Sequence, residues 1–440
     1  MYQHKWFPFF VLPLFLMCLF ASLPTALSLQ PSRDSCSFAS LSNEDMEGAI
    51  WNRTYGGSLW DQCFDMIEVS TGGFAMTGFT DSLWASGGGI LWLVRTDSQG
   101  NQLWNRTYTA SESWGHSLVE CDDGGFLIAG KLVTDRPQVW VLRTDANGNH
   151  LWNHTYGGTQ PAVGWVVSEV VKCAEGGFAI FGTGPDSNPA NNSDYYLVRI
   201  DETGDLLWNY TYDSGWMDSP ANNGGLVQCD DGGFAIVGYR REVEWRPYYS
   251  QVWLVRTDAD GKHVWDRTYG DPDAAEFPID ILRVGSDFLI GVWTVVPNTS
   301  SWMGVIRIDA EGNMVSDRRY DKGFEMGGMV QCSNGGFAIA GGASLIRTDD
   351  NGVSFWEQTY NQSSRDELWS IVECSDGGFA MAGITEVDWE AGDFDFWLLR
   401  VADPGPPPPP VEIPIEWIVI GIGLPVVFIA IVAILRTKRK

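Results

Sequence analysis

The sequence predicts an all-β fold: a seven-bladed β-propeller of four-stranded blades, closed by its N-terminal strand, with one C-terminal transmembrane helix. Three observations predict it. A unit of about fifty residues, cleanest from 121 to 158, recurs throughout residues 49–403. Its landmark Phe returns at Phe74, Phe126, Phe178, Phe234, Phe288, Phe337 and Phe379. A strand-ending Arg follows each time, at Arg95, Arg143, Arg199, Arg256, Arg307, Arg347 and Arg400. Self-similarity at this period denotes a repeat architecture, and the seven copies show no helical periodicity.

Each element of the unit follows from its residues. GGFLIAG is apolar on both faces, with Phe126 and Ile128 opposite Leu127 and Ala129, so this strand needs a neighbouring sheet on each side. VWVLRT sets Trp140 and Leu142 against Val141 and Arg143. HLWNHTY sets Trp152, His154 and Tyr156 against Leu151, Asn153 and Thr155. A further strand precedes the DDGG turn, around Ser117 to Cys121. Four strands per unit and seven units make a propeller. DDGG and its relatives form the first hairpin, and D-x-x-G forms the last, at Asp97, Asp145, Asp201, Asp258, Asp309 and Asp349. TDADG at 257–261 has a faint look of a calcium loop but lacks the downstream bidentate Glu, so no metal and no cofactor is expected.

WNRTY at 51–55 precedes every DGG strand, while the last unit stops after FWLLRVAD at 396–403. The N-terminal strand is therefore expected to supply the missing outer strand of the last blade and leave no open edge.

The ends place the chain at a membrane. Residues 1–28 read as a signal peptide: Lys5, an apolar run, then small residues near Ala26 and Ser28. Residues 29–48 form a polar lead-in. PGPPPPP opens a stiff stalk over 404–416. Residues 417–435 are apolar and uncharged, long enough for a bilayer core of about 30 Å. RTKRK at 436–440 makes a basic cytoplasmic tail. The propeller is thus expected outside the cell, on a single-pass anchor in the cell membrane. A net charge of −28 excludes nucleic acid as a partner.

Of eight cysteines, Cys121, Cys173, Cys229, Cys332 and Cys374 share one repeat position, filled by Val69 and Val284 in the other copies. A site that accepts Cys or Val is a small apolar one. Cys36 and Cys63 remain as a candidate disulfide. Sequons at Asn52, Asn105, Asn153, Asn191, Asn209, Asn298 and Asn361 are candidates for N-glycosylation.

Variation gathers on one face, in loops such as 184–195, 213–223, 239–251 and 384–395, where binding is usually placed. Every inter-blade connection carries an aromatic: Trp60, Trp114, Trp165, Trp216, Phe277, Phe324 and Trp369. These are the candidate ligand-binding residues, as platforms for a glycan or a surface protein; the alternative is packing between blades. HExxH, CxxC and G-x-S-x-G motifs are absent. The loop acids Asp271, Asp273, Glu276, Asp366, Glu367 and Glu386 single out no catalytic pair. The expectation is a recognition or adhesion protein with no enzymatic activity. A tethered glycan-processing hydrolase or a structural envelope component are the alternatives.

The unit DGGFAIAG…WLVRTDxxGNxLWNRTYGG resembles the repeats of archaeal and bacterial cell-surface β-propeller proteins. RIDETGDLLW at 199–208 is also similar to the docking motif of quinoprotein dehydrogenase blades. The second resemblance implies blade geometry. Neither an adjacent-cysteine disulfide nor a set of quinone and calcium ligands accompanies it, so no quinone chemistry is implied. A propeller fold by itself selects no function.

Overall fold

A computed structural model describes residues 48–405 apart from 84–87, 109–110, 135–136, 158–166, 185–192, 222–223, 242–248, 297–300, 321–325, 364 and 389–391. The signal peptide, the lead-in up to residue 47, the stalk from 406 onward, the 417–435 span and the basic tail lie outside these residues. So do Cys36, Trp165, Phe324, Asn191 and Asn298. No helix among the described residues is long and apolar enough to cross a membrane.

Seven antiparallel sheets follow one another along the chain, each with strands in sequence order from inner to outer. The second blade is typical: Ser113–Glu120, Phe126–Val133, Pro137–Thr144 and His150–Tyr156. Only the seventh breaks the order. There Ala49–Tyr55 pairs with Asp393–Val401, with Asn52 opposite Leu399 and Thr54 opposite Trp397. The inner strands meet in succession around the axis, and that of the first blade, Asp61–Glu68, also packs on the strands of the seventh.

The two-faced apolar strands are covered as their pattern requires. Phe126, Ile128, Trp140 and Leu142 pack with Ala75, Leu91 and Leu93 of the first blade. Leu127, Ala129, Val139 and Val141 pack with Phe178, Ile180 and Val198 of the third. The outer strands are half solvated, leaving Leu103, Leu151, Leu207 and Val264 exposed.

The inner strands differ from a plain alternating reading: six carry a one-residue bulge, for example between Gly115 and Ser117 and between Leu368 and Ser370. In the fourth blade the inner strand is split into Met217–Pro220 and Leu226–Gln228. A bulge adds one residue and turns its side chain away from the alternating pattern. The inner-strand backbone also lies close against its partner strand. A Cβ at Gly78, Gly130, Gly238 or Gly383 would overlap the carbonyl oxygen of Gln62, Trp114, Ser219 or Glu367 respectively.

Hydrogen bonds stitch blade to blade. Each D-x-x-G aspartate accepts turn N–H groups, as Asp97 does from Gln99 (2.9 Å) and Asn101 (2.8 Å). The outer-strand tyrosine of the preceding blade donates to the turn glycine carbonyl at 2.5–3.0 Å. Tyr55 bonds Gly100, Tyr156 bonds Gly204, and Tyr269 bonds Gly312. The repeated arginine clasps the first hairpin of its own blade, as in Arg143 with Asp123 at 2.5 Å and Arg256 with Asp231 at 2.6 Å.

The inner strand's last residue reaches the preceding blade's hairpin. Glu120 takes Ser70, Glu373 takes Ser333, and Glu68 takes Ser375 across the ring closure. Where the hairpin offers Asp122 or Asp230, the reaching residue is Lys172 or Arg283. The shared cysteine position is buried at Cys121, Cys173, Cys332 and Cys374 and half-buried at Cys229. Cys63 is wholly buried in the seam between the seventh and first blades.

Candidate functional site

Phe64, His116, Ser168, Ile279, Gly327 and Trp369 occupy the bulge position of six inner strands, Gly224 holds the corresponding place between the two pieces of the fourth, and Asp65, Ser117, Glu169, Gly225, Asp280, Gly328 and Ser370 follow them. The residues that follow the bulge turn toward the propeller axis, as do Phe64 and Trp369. Around the axis lies a cavity of ≈ 760 Å³. Its wall is asymmetric. On the side of blades seven, one and two, Trp369 stacks on Phe64 (5.5 Å, 16°) and Phe64 stacks on His116 (4.7 Å, 23°). The opposite side carries mostly small residues at this level. Beyond it Ile67, Val119, Val171, Val227, Leu282 and Val372 form an apolar collar.

Asp65, Glu169 and Asp280, from blades one, three and five, face the same cavity. Each spends an oxygen on the next blade: Asp65 Oδ2 accepts from Leu118 N (3.0 Å), Glu169 Oε2 from Leu226 N (2.7 Å), and Asp280 Oδ2 from Met329 N (2.8 Å). Ser117 and Ser370 accept in the same way from Val170 and Met66. Glu169 and Asp280 converge over Gly224. A Cβ there would collide with Asp280 Oδ1 and touch Glu169 Oε2 at 3.6 Å, so only glycine leaves room for both.

Burial raises all three carboxyls. Asp280 is pushed up to about 7, and Glu169 well above the usual range by burial and then by the Asp280 charge. Burial, with the Lys131 charge second, lowers His116 to about 4, so its ring is neutral at physiological pH. Among the described residues, none of the three acids is ion-paired with a lysine or arginine.

The aromatics singled out in the sequence do not form one ring. Measured against Asp61, Asp218, Glu276 and Asp366, which share a register, Trp60 lies one residue before and Trp114 and Phe277 one after. Trp216 lies two before and Trp369 three after. Trp60, 42% exposed, packs on Phe394 (5.4 Å) and Phe79 (6.3 Å). Trp114 stacks on Phe79 (5.4 Å) beneath the Lys131 ammonium at 4.6 Å. Phe277 packs on Tyr239 and Trp293, and Trp216 is half-buried at its loop. Trp369 alone of the described five enters the axial stack. Its partners Phe64 and His116 were missed in the sequence. Of the loop acids, Asp366 accepts from Ser363 N at 2.7 Å and Glu276 from Asp271 N at 3.0 Å, which holds their loops.

A second acidic group lies at the seam of blades three and four. Asp194, Asp213 and Asp218 each bring one oxygen within 4.8 Å of the others, a spacing that could hold a metal ion, which the sequence reading did not expect. Asp395 and Asp61 hold the corresponding registers in blades seven and one and flank Gly56. Burial raises Asp218 and Asp395 to about 7, with the neighbouring carboxylate adding to it. Of the described sequon residues, Asn105 is half-buried and Asn153, Asn209 and Asn361 are exposed; Asn52 is 2% exposed.

No family model and no curated protein matches the chain. Among solved structures it is similar to virginiamycin B lyase from Staphylococcus aureus, at 12% identity and a TM-score of 0.50, covering 79% of this chain and 98% of that one. A streptogramin B lyase is similar at 14% identity and a TM-score of 0.49, covering 81% and 99%. Sqt1 from Chaetomium thermophilum is similar at 9% identity and a TM-score of 0.46, covering 83% and 100%. At these identities the likeness is one of fold: the chain is a distant member of the propeller architecture. The expectation that it is not an enzyme is corrected by the same finding. A lyase, the virginiamycin B lyase, stands among the proteins that share its fold, so neither the architecture nor the lack of familiar motifs excludes catalysis.

Proposed function

We propose that this chain is a surface-held recognition propeller whose ligand sits in the axial channel. The observation that carries the proposal is the stacked pair Trp369 and Phe64, which lines a ≈ 760 Å³ cavity together with three carboxylates and two serines. Flat rings beside a few convergent polar groups make a wall suited to a sugar or to a side chain of a partner protein. The leader at 1–28, the apolar run at 417–435 and the terminal RTKRK support tethering of the propeller outside the cell membrane.

Two experiments test this. Protease applied to intact cells should remove the propeller epitope and leave an epitope at residue 440 protected; protection of both ends would refute external display. The full-length protein should bind saturably on a glycan or surface-protein array and lose that binding on Trp369→Ala or Phe64→Ala, with the fold retained. Unchanged binding in both variants would move the site away from the channel.

One observation favours a second reading, catalysis in the same channel. A carboxyl raised to about 7 beside a second acid, as Asp280 is beside Glu169, can give or take a proton at neutral pH. Turnover of the bound ligand that is abolished by Asp280→Asn would establish it.

A further inference from the structure

We infer that the axial channel takes an ammonium or guanidinium head carried on an apolar stem. The inference rests on the channel being the ligand site and names the chemistry of its occupant.

Three features select that chemistry together. The first is the shape of the wall. Trp369 and Phe64 wall one side, whereas Gly224, with no side chain, leaves room on the opposite side. The apolar collar of Ile67, Val119, Val171, Val227, Leu282 and Val372 receives an apolar stem, next to the edges of the stacked rings. The neutral state of His116 adds no opposing charge.

The second is the convergence over Gly224. Glu169 and Asp280 come from blades on either side of the fourth, and the missing Cβ lets them approach one point in the open half of the channel. Their inter-blade bonds to Leu226 and Met329 fix where the carboxylates sit. Asp65 faces the same space.

The third is the lack of internal compensation. The basic residues that border the cavity, Lys172 and Arg283, reach outward to Asp122 and Asp230 on neighbouring hairpins. The acids in the channel thus meet no basic partner among the described residues. Burial favours the protonated form of these carboxyls, and a neutral sugar leaves them so. An amine supplies the missing counter-charge and drives ionisation of Asp280, so a proton leaves for the buffer when the cation binds below pH 7.

The test uses the full-length protein titrated with hexylammonium chloride, with hexan-1-ol as the uncharged analogue, and with a capped Ala-Lys-Ala tripeptide. Hexylammonium should bind saturably and at least about tenfold more tightly than hexanol, the discrimination expected of a charge-assisted hydrogen bond. At pH 6, calorimetry in two buffers of different ionisation enthalpy should show proton release. The double variant Glu169→Gln, Asp280→Asn should lose both effects without a fall in thermal midpoint, because the amide oxygens still accept from Leu226 and Met329. Tighter binding of the tripeptide would identify the source as a partner's basic side chain, and tighter binding of hexylammonium a free amine.

Equal affinity for amine and alcohol, no binding of any probe, or full retention of amine binding in the double variant would overturn the inference. The broader proposal fails separately. If array ligands still bind the double variant but not Trp369→Ala, the channel remains the recognition site and only its charge preference is refuted.

Discussion

At the scale of single residues, the buried acids and the strand glycines carry consequences that can be measured. Asp280 has its carboxyl raised from 3.8 to about 7 by burial. A carboxyl raised on folding binds its proton more tightly in the native state. The stability this contributes is therefore complete below about pH 4 and lost as pH rises to about 7 and beyond. Asp218 and Asp395, also near 7, act in the same direction. Thermal scans should show the wild-type midpoint falling between pH 4 and 8, and Asp280→Asn should flatten part of that slope and be no less stable than wild type at pH 8. A variant that follows the wild-type curve throughout would show Asp280 to be ionised in the native state already. Gly383 makes a different prediction. Its missing Cβ is where the Glu367 carbonyl sits, so Gly383→Ala should cost about 1–3 kcal/mol in urea titrations through overpacking. These glycines were plain in the sequence as the end of each GGFxxxG run. Their reason was not, because it lies in a backbone approach from another strand.

At the scale of the element, the bulge separates what could be read from what could not. The GGF strand, the RTD strand and both hairpin turns follow from period-two alternation and turn residues, and they stand where expected. The inner strand does not follow, because one extra residue reverses the face of everything before it while leaving composition unchanged. Trp60, Trp114 and Trp369 stand 14, 12 and 10 residues before their landmark Phe and so sit at different registers, whereas Phe64 and His116 share the ten-residue spacing of Trp369, a signal that grouping the inter-blade aromatics overlooked. The outer-strand tyrosines are a second case. Tyr55 donates to Gly100 O at 2.6 Å in the next blade, whereas the buried Tyr360 hydroxyl has no partner. The cause is topological: the acceptor would lie in a third-to-fourth strand turn, and in the seventh blade that turn is replaced by the two ends of the ring. Tyr55→Phe should thus cost about 1–3 kcal/mol by stranding a buried carbonyl. Tyr360→Phe should be neutral or stabilising by the same urea titration. Equal losses would mean that the Tyr360 hydroxyl finds an acceptor in solution.

At the scale of the whole molecule, ring closure is the decisive event. Removing residues 49–55 would expose the long apolar edge of Asp393–Val401 and withdraw the Tyr55 clasp together with one of the four strands of the seventh sheet. Size-exclusion chromatography should find that deletion aggregated, and denaturant titration should show a broadened transition at lower midpoint. A monomer with wild-type cooperativity would show the seven seams to be self-sufficient. The sequence by itself determined the blade count, the strand order, the turn chemistry and the exchange of the N-terminal strand. Each of these follows from local periodicity and from the offset of one repeat against the chain ends. Only the tertiary structure decided which residues meet on the axis. Asp65, Glu169 and Asp280 are about a hundred residues apart in the chain. What brings them together is the circular arrangement of blades, the bulge that turns each inner strand, and the glycine in the fourth blade that leaves two of them room. Proximity across a closed ring is a property of the ring's geometry, and no local pattern in the chain encodes it.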